Sequence, residues 1–166
     1  MARAWFVADA RRRILAAFLL CVVAGLTVAI VTSQARSGAD CQTVEGTLVE
    51  RQVGADPLRT RGRLKGDIEG RYAFVLTNAV PSQSPDVLHF DGRSEVETED
   101  GKIFFSDSGA ISTVGRGNLA YLSTITDGSG DWEGATGQLL FRGFFNSATG
   151  RGKSDYVGEV CAGDDD

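Results

Sequence analysis

LAYLSTITDGSGDWEGATGQLLFRGFF, residues 119–145, sets two apolar-rich runs on either side of a stretch with four glycines between Gly128 and Gly137. Glycine at that density interrupts a helix and supplies positive φ for a tight reversal, so the segment reads as strand, turn, strand. In the second run Leu139, Phe141 and Phe145 fall on one side, and Leu140, Arg142 and Phe144 on the other. A strand that is apolar on both faces implies a filled or ligand-holding interior on one side and a second covered surface on the other. Arg142 must then pair with an acid, snorkel, or meet the anionic group of a ligand. Asp155 and Glu159 on the last run are its expected neighbours, because a meander lays that run beside it.

The same strand grammar extends over everything after Asp40. Turn signals delimit runs at 43–51, 63–78, 87–98, 102–106, 110–114, 118–126, 137–146 and 152–161. They include Ala55-Asp56-Pro57, Asp107-Ser108-Gly109 and Ala148-Thr149-Gly150, each with a residue suited to a reversal. Apolar residues recur with a period near two, and no amphipathic helix is evident. Ile68, Tyr72, Phe74 and Leu76 share one face, opposite Asp67, Glu69 and Arg71; Leu88, Phe90 and Val96 oppose His89, Asp91, Arg93, Glu95 and Glu97. The expected fold class is all-β.

The first 35 of the 166 residues do not belong to that pattern. Arg11, Arg12 and Arg13 precede an uncharged apolar run, Ile14 to Val31, and Ser33-Gln34-Ala35 ends it with a small-x-small step. This is an export segment, read either as a cleaved signal peptide or as an uncleaved membrane anchor. The expected organisation is 1–35 export segment, 36–41 linker, 42–161 β-barrel and 162–166 acidic tail, with the domain secreted, periplasmic, or held at the outer face of the membrane. Membrane contact is expected only through residues 14–31, if they are retained. Residues 36–166 carry 13 basic and 21 acidic side chains, which argues against nucleic acid as a partner. The cluster Glu95, Glu97, Glu99 and Asp100 and the tail Asp164–Asp166 lack calcium-loop spacing, so no metal and no cofactor are expected.

Cys21 sits inside the apolar segment and reads as membrane filler. Cys41 and Cys161 flank the exported part, and an oxidising compartment favours their pairing. Such a bond sets the first and last strands side by side, which is how a sheet closes into a barrel.

The run 119–140 also resembles the allene oxide cyclase family, whose relatives include the dirigent proteins. In that family a strand is followed by a Gly-Ser/Thr-Gly turn, two bulky positions, a small acidic or polar step, and Gly-x-x-Gly leading into the next strand. Those places are held here by Gly128-Ser129-Gly130, Asp131-Trp132, Glu133 and Gly134-Ala135-Thr136-Gly137. The hairpin FFSDSGAIST, 104–113, resembles the one just upstream, and TLVERQ near Glu50 is a fainter echo. The resemblance spans about 42–161 and implies a single eight-stranded antiparallel barrel with an apolar lumen, trimeric as in plant relatives. It also implies a small apolar ligand, and in members that are enzymes a cyclase or isomerase that steers a cyclisation or coupling by confinement. The family's glutamate near the first strand matches Glu50, or less well Glu45. The chain departs from the plant cyclases in being exported and in its cysteine pair.

Candidate ligand contacts are Tyr72, Phe74, Tyr121, Phe141 and Arg142, with Glu50 and Tyr72 as candidate catalytic groups. His89 with Asp91, and Asp67 with Glu69, read as exposed strand residues rather than as acid–base pairs. The competing reading is a structural or interaction protein whose barrel is filled by its own side chains.

Overall fold

The computed structural model describes residues 41–163. The export segment, the linker up to Asp40 and Asp164–Asp166 of the tail lie outside the described residues. The described chain forms β1 (Cys41–Val53), β2 (Asp56–Gly66), β3 (Gly70–Pro81), β4 (Val87–Glu97), β5 (Gly101–Ser112), β6 (Asn118–Gly130), β7 (Thr136–Asn146) and β8 (Arg151–Cys161). Each strand pairs antiparallel with the next and β8 pairs with β1, so the sheet closes into an eight-stranded barrel. Closure leaves no unpaired edge. At the seam Cys41 stands directly opposite Cys161, and a disulfide joins them.

Strand boundaries differ from the sequence reading in two places. The run 63–78 is two strands reversed around Asp67–Glu69. Ile68 is buried from within that turn, so the apolar alternation runs unbroken through the reversal. The first of the two strands, β2, was masked because it turns only Thr60, Gly62 and Leu64 inward. Conversely, the runs 102–106 and 110–114 are one strand, β5. Asp107-Ser108-Gly109 stays extended because Asp107 points into the barrel, where the Ser123 hydroxyl of β6 donates to it. One miss cancels the other in the strand count.

The glycine-rich reversal is tighter than its sequence suggests. β6 continues through Gly130, and the turn occupies residues 131–134. Gly130 and Gly134 have φ of 66° and 71°, a region that costs other L-residues about 1–2 kcal/mol. Backbone hydrogen bonds from Glu133 to Gly130 (3.0 Å) and from Ala135 to Trp132 (3.1 Å) lock it. Trp132 packs against the core, and its indole N–H donates to Thr98 Oγ1 at 3.0 Å. The turn thereby closes one end of the barrel.

That closed end is filled by Val44, Leu64, Ile68, Val96, Ile103, Ile125, Leu139 and Val160, all buried. Above it an aromatic chain climbs the lumen. Tyr156 meets Phe141 (5.5 Å between centroids), Phe141 stacks on Tyr121 (4.7 Å), Tyr121 meets Phe90 (5.8 Å) and Phe90 meets Phe74 edge-on (6.2 Å). The Tyr156 hydroxyl is satisfied by the backbone of Ile68, accepting from its N–H at 2.9 Å and donating to its carbonyl at 3.2 Å. On the outer wall Leu122, Leu140 and Val157 stand in one cross-strand row and remain exposed.

Candidate functional site

At the end opposite Trp132 the lumen opens as a cavity of about 150 Å³. Its wall is aromatic and aliphatic, with Phe74, Leu88, Phe90, Ile111, Leu119 and Phe145 among the lining residues, and Tyr72, Tyr121, Glu50 and Thr60 as its polar groups. Gly92 makes the wall possible: a Cβ there would collide with the Phe74 ring. Strand alternation delivers each group, since Glu50, Thr60, Tyr72 and Tyr121 occupy inward positions of β1, β2, β3 and β6.

The polar groups sit where burial dominates their chemistry. Glu50 is 8% exposed and accepts a hydrogen bond from Thr60 Oγ1 at 2.5 Å. Burial pushes its carboxyl above the ordinary value, Thr60 opposes that, and the nearby charge of Asp107 adds to it. Asp107 is buried too, and its proton affinity is raised by burial against the opposing hydroxyls of Ser123 and Ser94. Its second oxygen, Oδ2, has no hydrogen-bond partner among the described residues. The Tyr72 and Tyr121 hydroxyls lie 3.5 Å apart, and either can donate to the other. Burial, joined by the neighbouring acids, holds both phenols well above their usual range.

Ion pairs among the described residues are Arg59–Asp56 and Arg71–Glu97, both exposed, so no cation compensates the lumen acids. Such acids favour the neutral form. Because each folded-state proton affinity exceeds the unfolded one, their stabilising contribution is complete below about pH 4. It is lost as pH rises through the raised values. Glu50→Gln is therefore expected to be more stable than the parent by on the order of 1 kcal/mol at pH 8 and to lose that advantage at pH 4. Thermal melting of both proteins across that range checks it; an advantage that grows on acidification would reverse the assignment.

Of the residues expected from sequence, Glu50, Tyr72, Phe74 and Tyr121 come together at this cavity. Phe141 lies beneath Tyr121 as core and is not part of the lining. Arg142 is corrected outright: it is exposed on the outer wall, because its parity is opposite to that of Phe141, and it cannot anchor a lumen ligand. It pairs in register with Asp155 without closing to an ion pair. His89 and Glu69 are exposed, Asp91 accepts from Asn78 (3.2 Å), and Asp67 accepts from the Glu45 backbone (2.8 Å). Sequence reading missed Asp107 and Thr60. The signal for Asp107 was present: Ile103, Phe105, Asp107, Gly109 and Ile111 keep one parity.

No family model matches the sequence, and no curated protein matches it. Among solved structures, the pterocarpan synthase dirigent protein PsPTS1 is similar at 13% identity, over 77% of this chain and 99% of that one, with a TM-score of 0.34.

Proposed function

We propose that this chain is an exported, disulfide-closed barrel of the allene oxide cyclase and dirigent type that holds one small apolar molecule in its open end. The observation that carries the reading is the aromatic-lined cavity of about 150 Å³ with a buried acid and two phenols at its inner surface. A void of that size in an apolar core accommodates a benzene-sized ring, so the ligand is a single ring or the apolar end of a longer molecule that emerges at the mouth. The Glu50 carboxyl, whose proton affinity burial raises, and the tyrosine hydroxyls favour an uncharged oxygen acceptor, a carbonyl or an ether. A ligand carboxylate finds no cation there. If the barrel is an enzyme, Glu50 is its general acid and the wall supplies the confinement that steers a cyclisation or coupling.

Native mass spectrometry of the protein released by its producing cell tests this. A co-purified small mass that denaturation removes, and that is missing from a folded Ile111→Trp variant whose indole fills the cavity, is the expected result. A clean protein mass from both would overturn it. The second reading, an interaction protein without a ligand, is favoured by the filled lower lumen and by the exposed row Leu122, Leu140 and Val157, which suits a homo-oligomer contact. The same spectrum reports whether the particle is a monomer or a trimer.

A further inference from the structure

We infer that the outer face of β8, β1 and β2 is a docking surface for an anionic polysaccharide. The chain is acidic as a whole, yet seven of the 13 basic side chains after residue 35 lie on these three adjacent strands. They are Arg51 on β1, Arg59, Arg61, Arg63 and Lys65 on β2, and Arg151 and Lys153 on β8, and every one is exposed. Register aligns them: Arg61, Arg51 and Arg151 form one cross-strand row, and Arg63, Val49 and Lys153 the next. Neighbouring strands are about 4.8 Å apart, and like charges directly opposite each other destabilise a sheet.

The chain places compensating charge elsewhere. Arg71 faces Glu97 across β3 and β4 at 2.8 Å. On the basic face the one ion pair among the described residues is Arg59–Asp56, at the loop edge. The acids Glu45, Asp155 and Glu159 lie toward the Cys41–Cys161 end of the same strands. Among the described residues no ion pair meets Arg51, Arg61, Arg63, Arg151 or Lys153, so these rows are open to an external anion.

The shape of the face selects among polyanions. Val49 is 57% exposed within the cations, and a shallow groove of about 490 Å³ runs along Val49, Arg51, Arg61, Arg63 and Arg151. Alternate residues of a strand are roughly 6.7 Å apart, so Arg59 to Lys65 present four cations over about 20 Å. That pattern matches a linear chain with repeated carboxylate, sulfate or phosphate groups, each suited to a guanidinium fork. Sugar rings can lie on Val49 and the arginine stems. Single-stranded nucleic acid stacks its bases on aromatic rings, and these seven cations and Val49 include none. A flat bilayer touches a convex barrel wall only along a line. The surface is independent of what the cavity holds.

The test uses the full chain in non-ionic detergent, with fluorescently labelled heparin and polygalacturonate octasaccharides as probes. Expected is saturable binding at 50 mM NaCl that weakens on the order of 100-fold by 200 mM. Arg51→Glu/Arg61→Glu and, separately, Arg151→Gln/Lys153→Gln are expected to weaken it at least about tenfold, with melting temperature unchanged or raised. Arg93→Glu/Lys102→Glu, which removes as much charge elsewhere, is expected to leave it intact. Equal loss in that control overturns the proposal by showing attraction without a site. So does tighter binding of a twelve-residue oligothymidylate, patch-dependent capture by phosphatidylglycerol vesicles alone, patch-dependent self-association, or no binding to either saccharide.

Discussion

With Cys41 and Cys161 both replaced by serine, the barrel is expected to lose about 4 to 5 kcal/mol of stability. The bond spans 120 residues, so in the unfolded chain it removes almost all the freedom of the two ends to separate, and this loop-closure entropy is the source of the loss. The folded state changes little, because Gln42 to Arg51 remain paired with Val160 to Arg151 along the same seam. Urea denaturation of the oxidised parent and the double-serine variant reads the difference, and thermal melting should fall by roughly 15 °C. A loss under about 1 kcal/mol would mean that residual contacts in the unfolded chain already hold its ends together.

Phe141→Ala is expected to cost about 3–5 kcal/mol, the range for deleting a buried phenylalanine. Phe141 is 2% exposed and touches two rings, stacked on Tyr121 and tilted against Tyr156. Each aromatic contact adds about 0.5–1.5 kcal/mol beyond area burial. The void cannot collapse readily, because a closed ladder fixes the diameter of the wall around it. It would instead open downward from the existing cavity and enlarge it while the variant becomes less stable. Denaturant titration measures the loss of stability. Arg142→Leu, one residue along and outside, is the contrast, with an expected change within about 0.5 kcal/mol.

The all-β class was legible because alternation survives in β3 and β4, and the two distal cysteines named the strands that meet at the seam. Two local ambiguities hid the strand boundaries. β2 buries so little that its arginines read as a loop, and Asp-Ser-Gly in β5 is turn chemistry held straight by one buried carboxyl. The candidate site was half legible for the same reason. Tyr72, Phe74 and Tyr121 follow from parity once the barrel is assumed, and Glu50 only from the resemblance of the first strand to the allene oxide cyclase family. Parity also separated Arg142 from Phe141, but which side faces inward is decided by closure of the whole sheet. Asp107 and Thr60 acquire meaning only beside Ser123 and Glu50, partners 16 and 10 residues away in sequence.

The placement of the barrel's two flanks bears on how the barrel can be handled. Cys41 and Cys161 leave side by side at the pole sealed by Trp132, while the aperture lies at the other pole. A tether on either flank, whether to a resin, a surface or a second domain, holds the barrel by its sealed pole and leaves the aperture facing away. A circular permutant that joins these flanks through a short linker and opens the loop at Gly54–Ala55 would move the break to the rim of the aperture without cutting a strand.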